Sequence, residues 1–154
     1  MAEAVAVELD AQYRQLREEC GLVDRSNRGK LLLKGAEAAE YLQGQLTNDI
    51  EGLEPGEGCY AALLDRKGHM QADMRVLNCS GALYVAIAHK KRTGTEEAVI
   101  WIDTEPEPLA VVRKHLQTYK IGRDVEVENL TAARAILSLV GPRSAEVAGS
   151  PPLP

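Results

Sequence analysis

The sequence predicts an α+β fold built on antiparallel sheet with flanking helices. Three observations predict it. Runs with strand-like alternation outnumber helical stretches. Short Gly- or Asn-containing turns of hairpin type join several of those runs. The order of elements, α-β-α-β-β-β-β-α-β-β-α, lacks the alternating β-α-β of a doubly wound nucleotide-binding domain.

Taken in order, Leu9, Tyr13, Leu16 and Cys20 recur at helical spacing, which predicts a helix over 8–20 stopped by Gly21. Residues 22–29 read as a loop leading into a short strand over 30–34. Gly35 breaks that strand, and a second helix over 36–49 follows, with Ala36, Ala39, Leu42 and Leu46 on one face. Asn48 and Asp49 stand where this helix must end. Pro55-Gly56 supplies turn chemistry before strands over 59–64 and 70–77, which Asp65–Gly68 joins as a hairpin. Alternation in the second strand puts Met70, Ala72, Met74 and Val76 on one face and Gln71, Asp73, Arg75 and Leu77 on the other. Strands over 82–88 and 98–103 flank a polar insert. Its basic run at 89–94 suits either a solvated hairpin tip or a phosphate or polyglutamate contact. Thr104 is expected to cap a helix whose apolar face carries Leu109, Val112, Leu116 and Tyr119. An edge strand over 125–128, a strand over 135–140 and a short helix after Gly141-Pro142 complete the chain. Residues 1–148 are expected to form one domain, with 149–154 as a Pro-rich tail.

Composition narrows the function. The 154 residues are 45% hydrophobic and 27% charged, the profile of a globular protein, and the absence of Phe leaves the core to Leu, Val, Ile and Ala. A net charge of −5 argues against nucleic acid or anionic membrane as a partner. The longest apolar run falls well short of a membrane span. The N-terminus carries acids and no basic lead-in of a signal peptide, so the cytoplasm is expected. Three cysteines without a CxxC pair fit reduced thiols. His69, His89 and His115 are isolated, so no metal is expected. There is no GxGxxG or GxxxxGK[ST] phosphate loop.

What remains is a polar group of Gln45, Thr47, Asn48, Asp49, Asp65, Arg66 and Asp73. Asn48, Asp49 and Asp73 present donors and acceptors suited to an amide-bearing heterocycle such as a pterin. Pattern leaves two readings open: the three converge on one pocket, or Asn48 and Asp49 cap a helix while Asp73 lies on a wet sheet face.

These residues sit within motifs that resemble a known superfamily. Leu22-Val23-Asp24-Arg25-Ser26, Gly29, Gly35, Tyr41-Leu42, Gln45 and Thr47-Asn48-Asp49-Ile50, followed by Leu63-Leu64-Asp65, Gly68, Asp73 and Val76, resemble the N-terminal part of the glycine-cleavage T-protein-like folate-binding superfamily. That superfamily includes the aminomethyltransferases and the YgfZ-type iron–sulfur assembly factors. The resemblance implies a partial folate-binding domain of duplicated ferredoxin-like type. It implies that Asn48, Asp49, Leu63, Asp73 and Tyr84 line a tetrahydrofolate site, and that the intact protein handles one-carbon units or supports iron–sulfur protein maturation. No catalytic residue is assigned. Two departures stand out. The family's Asn after the third strand is replaced in the run Ala86–Lys91, and Glu96 and Glu97 fall near the place of its folate-orienting Asp. Residues 109–121 resemble the helix of the YgfZ-type branch, while its later KGCYxGQE motif has no counterpart in these 154 residues. Family members are longer, so the chain is expected to be an N-terminal part, inactive as an enzyme alone, that exposes an uncovered sheet face to a protein partner or a second copy. The competing expectation is a non-catalytic scaffold of the same fold that has lost the pocket.

Overall fold

The computed structural model describes residues 2–80 and 98–149. The predicted strand over 82–88 with Tyr84, the insert with Glu96 and Glu97, and the last residues of the tail lie outside the described residues. The chain divides into two compact units, one from the segments up to Ser26 and from Ala135 onward, the other Asn27–Arg134. Both are α+β with antiparallel strand pairing, as predicted.

In the first unit, α1 (Ala2–Glu18) is followed by β1 (Gly21–Asp24), which pairs antiparallel with β7 (Leu137–Val140); α4 (Ser144–Ala148) closes the unit. Residues 22–24 therefore belong to a strand rather than the expected loop. Their hydrogen-bonding partner lies more than a hundred residues away, with Gly21 opposite Val140, where no local pattern reveals it. The Asp24-Arg25-Ser26 motif closes this ribbon. Asp24 Oδ1 accepts from the Ser26 amide at 2.8 Å, and Arg25 N donates to Ile136 O at 2.8 Å. The predicted helical spacing of Leu9, Tyr13 and Leu16 holds in α1, yet all three side chains are exposed.

Among its described residues the second unit holds a five-stranded antiparallel sheet in the order β3-β4-β5-β2-β6, formed by β2 (Gly29–Gly35), β3 (Gly58–Leu64), β4 (Met70–Asn78), β5 (Ala98–Thr104) and β6 (Glu126–Asn129). Helices α2 (Ala38–Gln43) and α3 (Leu109–Tyr119) pack on one sheet face. Leu31, Leu33, Leu42, Ile50, Leu63, Met74, Val76, Ile100, Ile102, Val112 and Leu116 fill the core between. Tyr41 ties the helices together by donating its hydroxyl to Leu116 O at 2.8 Å. Burial lifts that phenol to about 12.

Three expectations for this unit need correction. The helix read over 36–49 spans only Ala38–Gln43, and Ala36 is exposed. Beyond it the backbone turns to the sheet, where Leu46 bridges Leu63 and Thr47 N donates to Ala62 O at 3.1 Å. An open edge of β3 offers those groups ladder partners that a helix would forgo. Thr104 does not cap α3: it is a buried β5 residue whose hydroxyl donates to Asp73 O at 2.7 Å, and Pro108 holds the cap position. Met70, placed with the core face, is exposed beside the register shift at Leu63/Leu64 that lets the strand end twist away.

Candidate functional site

Strand alternation gives the sheet a second face, away from α2 and α3. Residues directly opposite each other in the register share a face. One row crosses it as Tyr60, Arg75, Asp103 and Lys30, because Tyr60 pairs with Arg75, Arg75 with Asp103, and Asp103 with Lys30. A parallel row runs Leu77, Trp101 and Leu32. The first row is charged and phenolic; the second belongs to an apolar cluster with Cys79 and Val99. Asp73, opposite Ala62, stands diagonally next to Tyr60 on the polar side.

Asp103 organises the polar row. The residue is 5% exposed, and its carboxylate accepts from Arg28 Nε at 2.5 Å and from Arg75 Nε and Nη2 at 2.9–3.1 Å. Arg28 also pairs with Glu105. Burial acts to lower the Arg28 pKa, and the hydrogen bonds and charges of Asp103 and Glu105 outweigh it, so the guanidinium stays firmly charged. Lys30, fully buried, donates from Nζ to Arg28 O at 2.8 Å. Tyr60 reaches diagonally and donates its hydroxyl to Asp73 Oδ2. That bond, with burial and the Asp73 charge, raises the Tyr60 pKa.

The residues expected from sequence are distributed unevenly over this geometry. Asn48 runs along the β3 edge, donating Nδ2 to Tyr60 O at 2.9 Å and accepting the Asp49 amide on Oδ1 at 2.8 Å. Asp49 Oδ1 accepts from Gly52 N at 3.1 Å, and the Asp49 charge, after burial, helps push up the Cys59 thiol. Asn48 and Asp73 are thus joined through Tyr60, one at its backbone and one at its hydroxyl, while Asp49 is folded into its own loop. Leu63 is buried at 1% exposure in the core, on the face opposite Asp73. Tyr84 lies outside the described residues. Gln45 Oε1 meets His115 Nε2 of α3 at 2.8 Å on the helical side of the sheet. Asp65 accepts from the amides of Lys67 and His69, which fixes the hairpin turn.

Sequence reasoning missed Tyr60, Asp103 and Arg28 as members of one cluster. Alternation through β3, carried across the Asp65–Gly68 turn, held enough signal to pair Tyr60 with Arg75 and Asp73. Nothing local signals Arg28, which is 75 residues from Asp103. Among the described residues no group of His, Cys, Asp or Glu is arranged to hold a metal, and no helix is long and apolar enough to cross a membrane.

Comparison with known proteins adds a family. The profile of the GCVT N-terminal domain matches residues 2–150. The aminomethyltransferase of Parasynechococcus marenigrum (strain WH8102) is 29% identical over 139 residues, covering 86% of this chain and 33% of that protein. That of Staphylococcus carnosus (strain TM300) is 26% identical over 139 residues, covering 90% and 34%. The chain therefore spans about a third of the length of these relatives. Among solved structures, the glycine cleavage system aminomethyltransferase T from Bartonella henselae superposes with a TM-score of 0.71 at 22% identity, over 92% of this chain and 35% of that one. At that identity the likeness concerns the fold.

Proposed function

This chain belongs to the GCVT N-terminal domain family, and from that premise we propose that it is the tetrahydrofolate-binding part of a T-protein-like protein handling one-carbon units. The observation that carries the reading is the polar row beside an apolar one on the second sheet face. A reduced pterin presents a planar pyrimidinone ring edged with N–H donors. Asp73 offers a carboxylate acceptor for such an edge, the half-buried Leu77 and Trp101 beside it offer apolar surface resting on the buried Leu32, and Arg75, 45% exposed at its side chain, offers a cation for the carboxylates of a folate tail. These residues fit the group chemically. When bound, tetrahydrofolate would accept a one-carbon unit at its ring nitrogens; the protein's part is to orient the ring and exclude water. The reading places the protein in the cytoplasm, with a folate as small-molecule partner. The pattern ending in Leu116, Tyr119 and Ile121 keeps iron–sulfur protein maturation within the same reading.

A second reading, a scaffold of the same fold without a pocket, is favoured by the local satisfaction of Asn48 and Asp49, whose side chains bond their own loop and the β3 edge. Isothermal titration with tetrahydrofolate separates the two. The first reading expects binding heat that Asp73→Ala abolishes at unchanged melting temperature. Absence of heat with the unsubstituted chain and with a longer one carrying it overturns the first reading. Loss of melting temperature without loss of binding in Asn48→Ala and Asp73→Ala assigns both residues to the scaffold.

A further inference from the structure

Resting on the tetrahydrofolate reading, we propose that Tyr60 is the positioning residue of this face, holding the Asp73 carboxylate in the orientation that meets a ring N–H of the ligand. Tyr60 is 61% exposed, and a tyrosine opposite an arginine on an open sheet has no need to bond a diagonal neighbour. Its hydroxyl nonetheless donates to Asp73 Oδ2, and this leaves Asp73 Oδ1 without a hydrogen-bond donor among the described residues.

The cations described on this face bond carboxylates other than Asp73. Arg75 makes its side-chain contacts with Asp103, and Arg28 is shared between Asp103 and Glu105. Neither takes the Asp73 carboxylate, so among the described residues its orientation falls to the phenol. Both ends of the pair are anchored through backbone. The Tyr60 carbonyl accepts from Asn48 Nδ2 at 2.9 Å, and the Asp73 carbonyl accepts from the Thr104 hydroxyl at 2.7 Å. The charges of Arg28 and Glu105 act on the Tyr60 hydroxyl with opposite sign, and both act more weakly than its hydrogen bond to Asp73. A carboxylate fixed by one donor, with no donor to its other oxygen among the described residues, is preorganised to accept from a ligand without first losing rotamer freedom. Asn48 then acts through Tyr60 and Asp73 and need not touch the ligand.

The test measures tetrahydrofolate binding by calorimetry for the full chain, Tyr60→Phe, Asp73→Asn and the double variant. A separate spectrophotometric titration follows tyrosine ionisation without ligand. Removing the hydroxyl is expected to weaken binding roughly tenfold, the scale of a hydrogen bond to a charged group. The double variant is expected to bind no more weakly than Asp73→Asn, because Tyr60 works only through Asp73. Asp73→Asn is also expected to lower the ionisation pH of the one tyrosine that Tyr60→Phe removes. Wild-type binding with unchanged affinity in Tyr60→Phe overturns the positioning role, and so do multiplying losses in the double variant. If the unsubstituted chain does not bind, the ligand reading falls, and the ionisation titration still decides whether Tyr60 holds Asp73. An ionisation curve unmoved by Asp73→Asn overturns that as well.

Discussion

Asp103→Ala tests whether the sheet's second face is held by its buried carboxylate. Removing one partner of a buried ion pair costs about 3–5 kcal/mol, because the remaining charge is stranded. Two features place this substitution at the bottom of that range. Arg28, buried at 8% exposure, keeps Glu105 as a partner, and the half-exposed Arg75 can turn to water. The expected loss is therefore about 3 kcal/mol, which at a urea slope of about 2 kcal/mol/M moves the midpoint down by about 1.5 M. For a chain of this size it lowers the melting temperature by roughly 6–12 °C. The single tryptophan, Trp101, lies two residues away on the same strand, so its fluorescence reports this sheet. The double substitution Arg28→Met with Asp103→Leu removes both charges and leaves apolar volume, so it is expected to recover most of the loss. A midpoint shift below about 0.3 M for Asp103→Ala, or a double variant as unstable as the single one, would refute this account of the face.

Two further outcomes follow from the structure. Gly35 has φ 133°, and a Cβ there would stand 2.0 Å from Asp124 O; Gly35→Ala should cost at least about 2–3 kcal/mol, and a melting temperature within 2 °C of wild type, about the shift for under 1 kcal/mol, would contradict it. His115 is held below its ordinary value of 6.5 by burial against α2's trailing loop. Its neutral form is favoured by folding, so stability is complete above about pH 6.5 and falls as pH drops through that value toward the lower folded one. Urea midpoints between pH 7.5 and 5.5 should therefore fall, less so in His115→Gln; equal slopes in the two proteins would remove His115 as the cause.

The β3–β4 hairpin was the most legible part of the chain. Its signals are local: period-two alternation puts Ala72, Met74 and Val76 inside, and Gly68 at φ 82° and Gly56 at φ 95° take the positive angles that their turns require. The same alternation placed Asp73 and Arg75 on one face before any fold was known. The edge strand β6 and the α3 core residues Val112 and Leu116 were legible for the same reason. The end of α2 was not, because helical spacing continues to Leu46 while the β3 edge competes for the same backbone groups.

Residue order therefore settled which segments alternate, where they turn and which family motifs they carry, since each of those depends on neighbours a few positions apart. The fate of residues 44–52, the pairing of β1 with β7 and the meeting of Arg28 with Asp103 arose only when distant segments met. There, unpaired strand edges and buried charges took whichever partner the fold brought near. The Tyr60–Asp73 contact belongs to both: alternation puts the two side chains on one face, and the register across the hairpin sets the hydroxyl against the carboxylate.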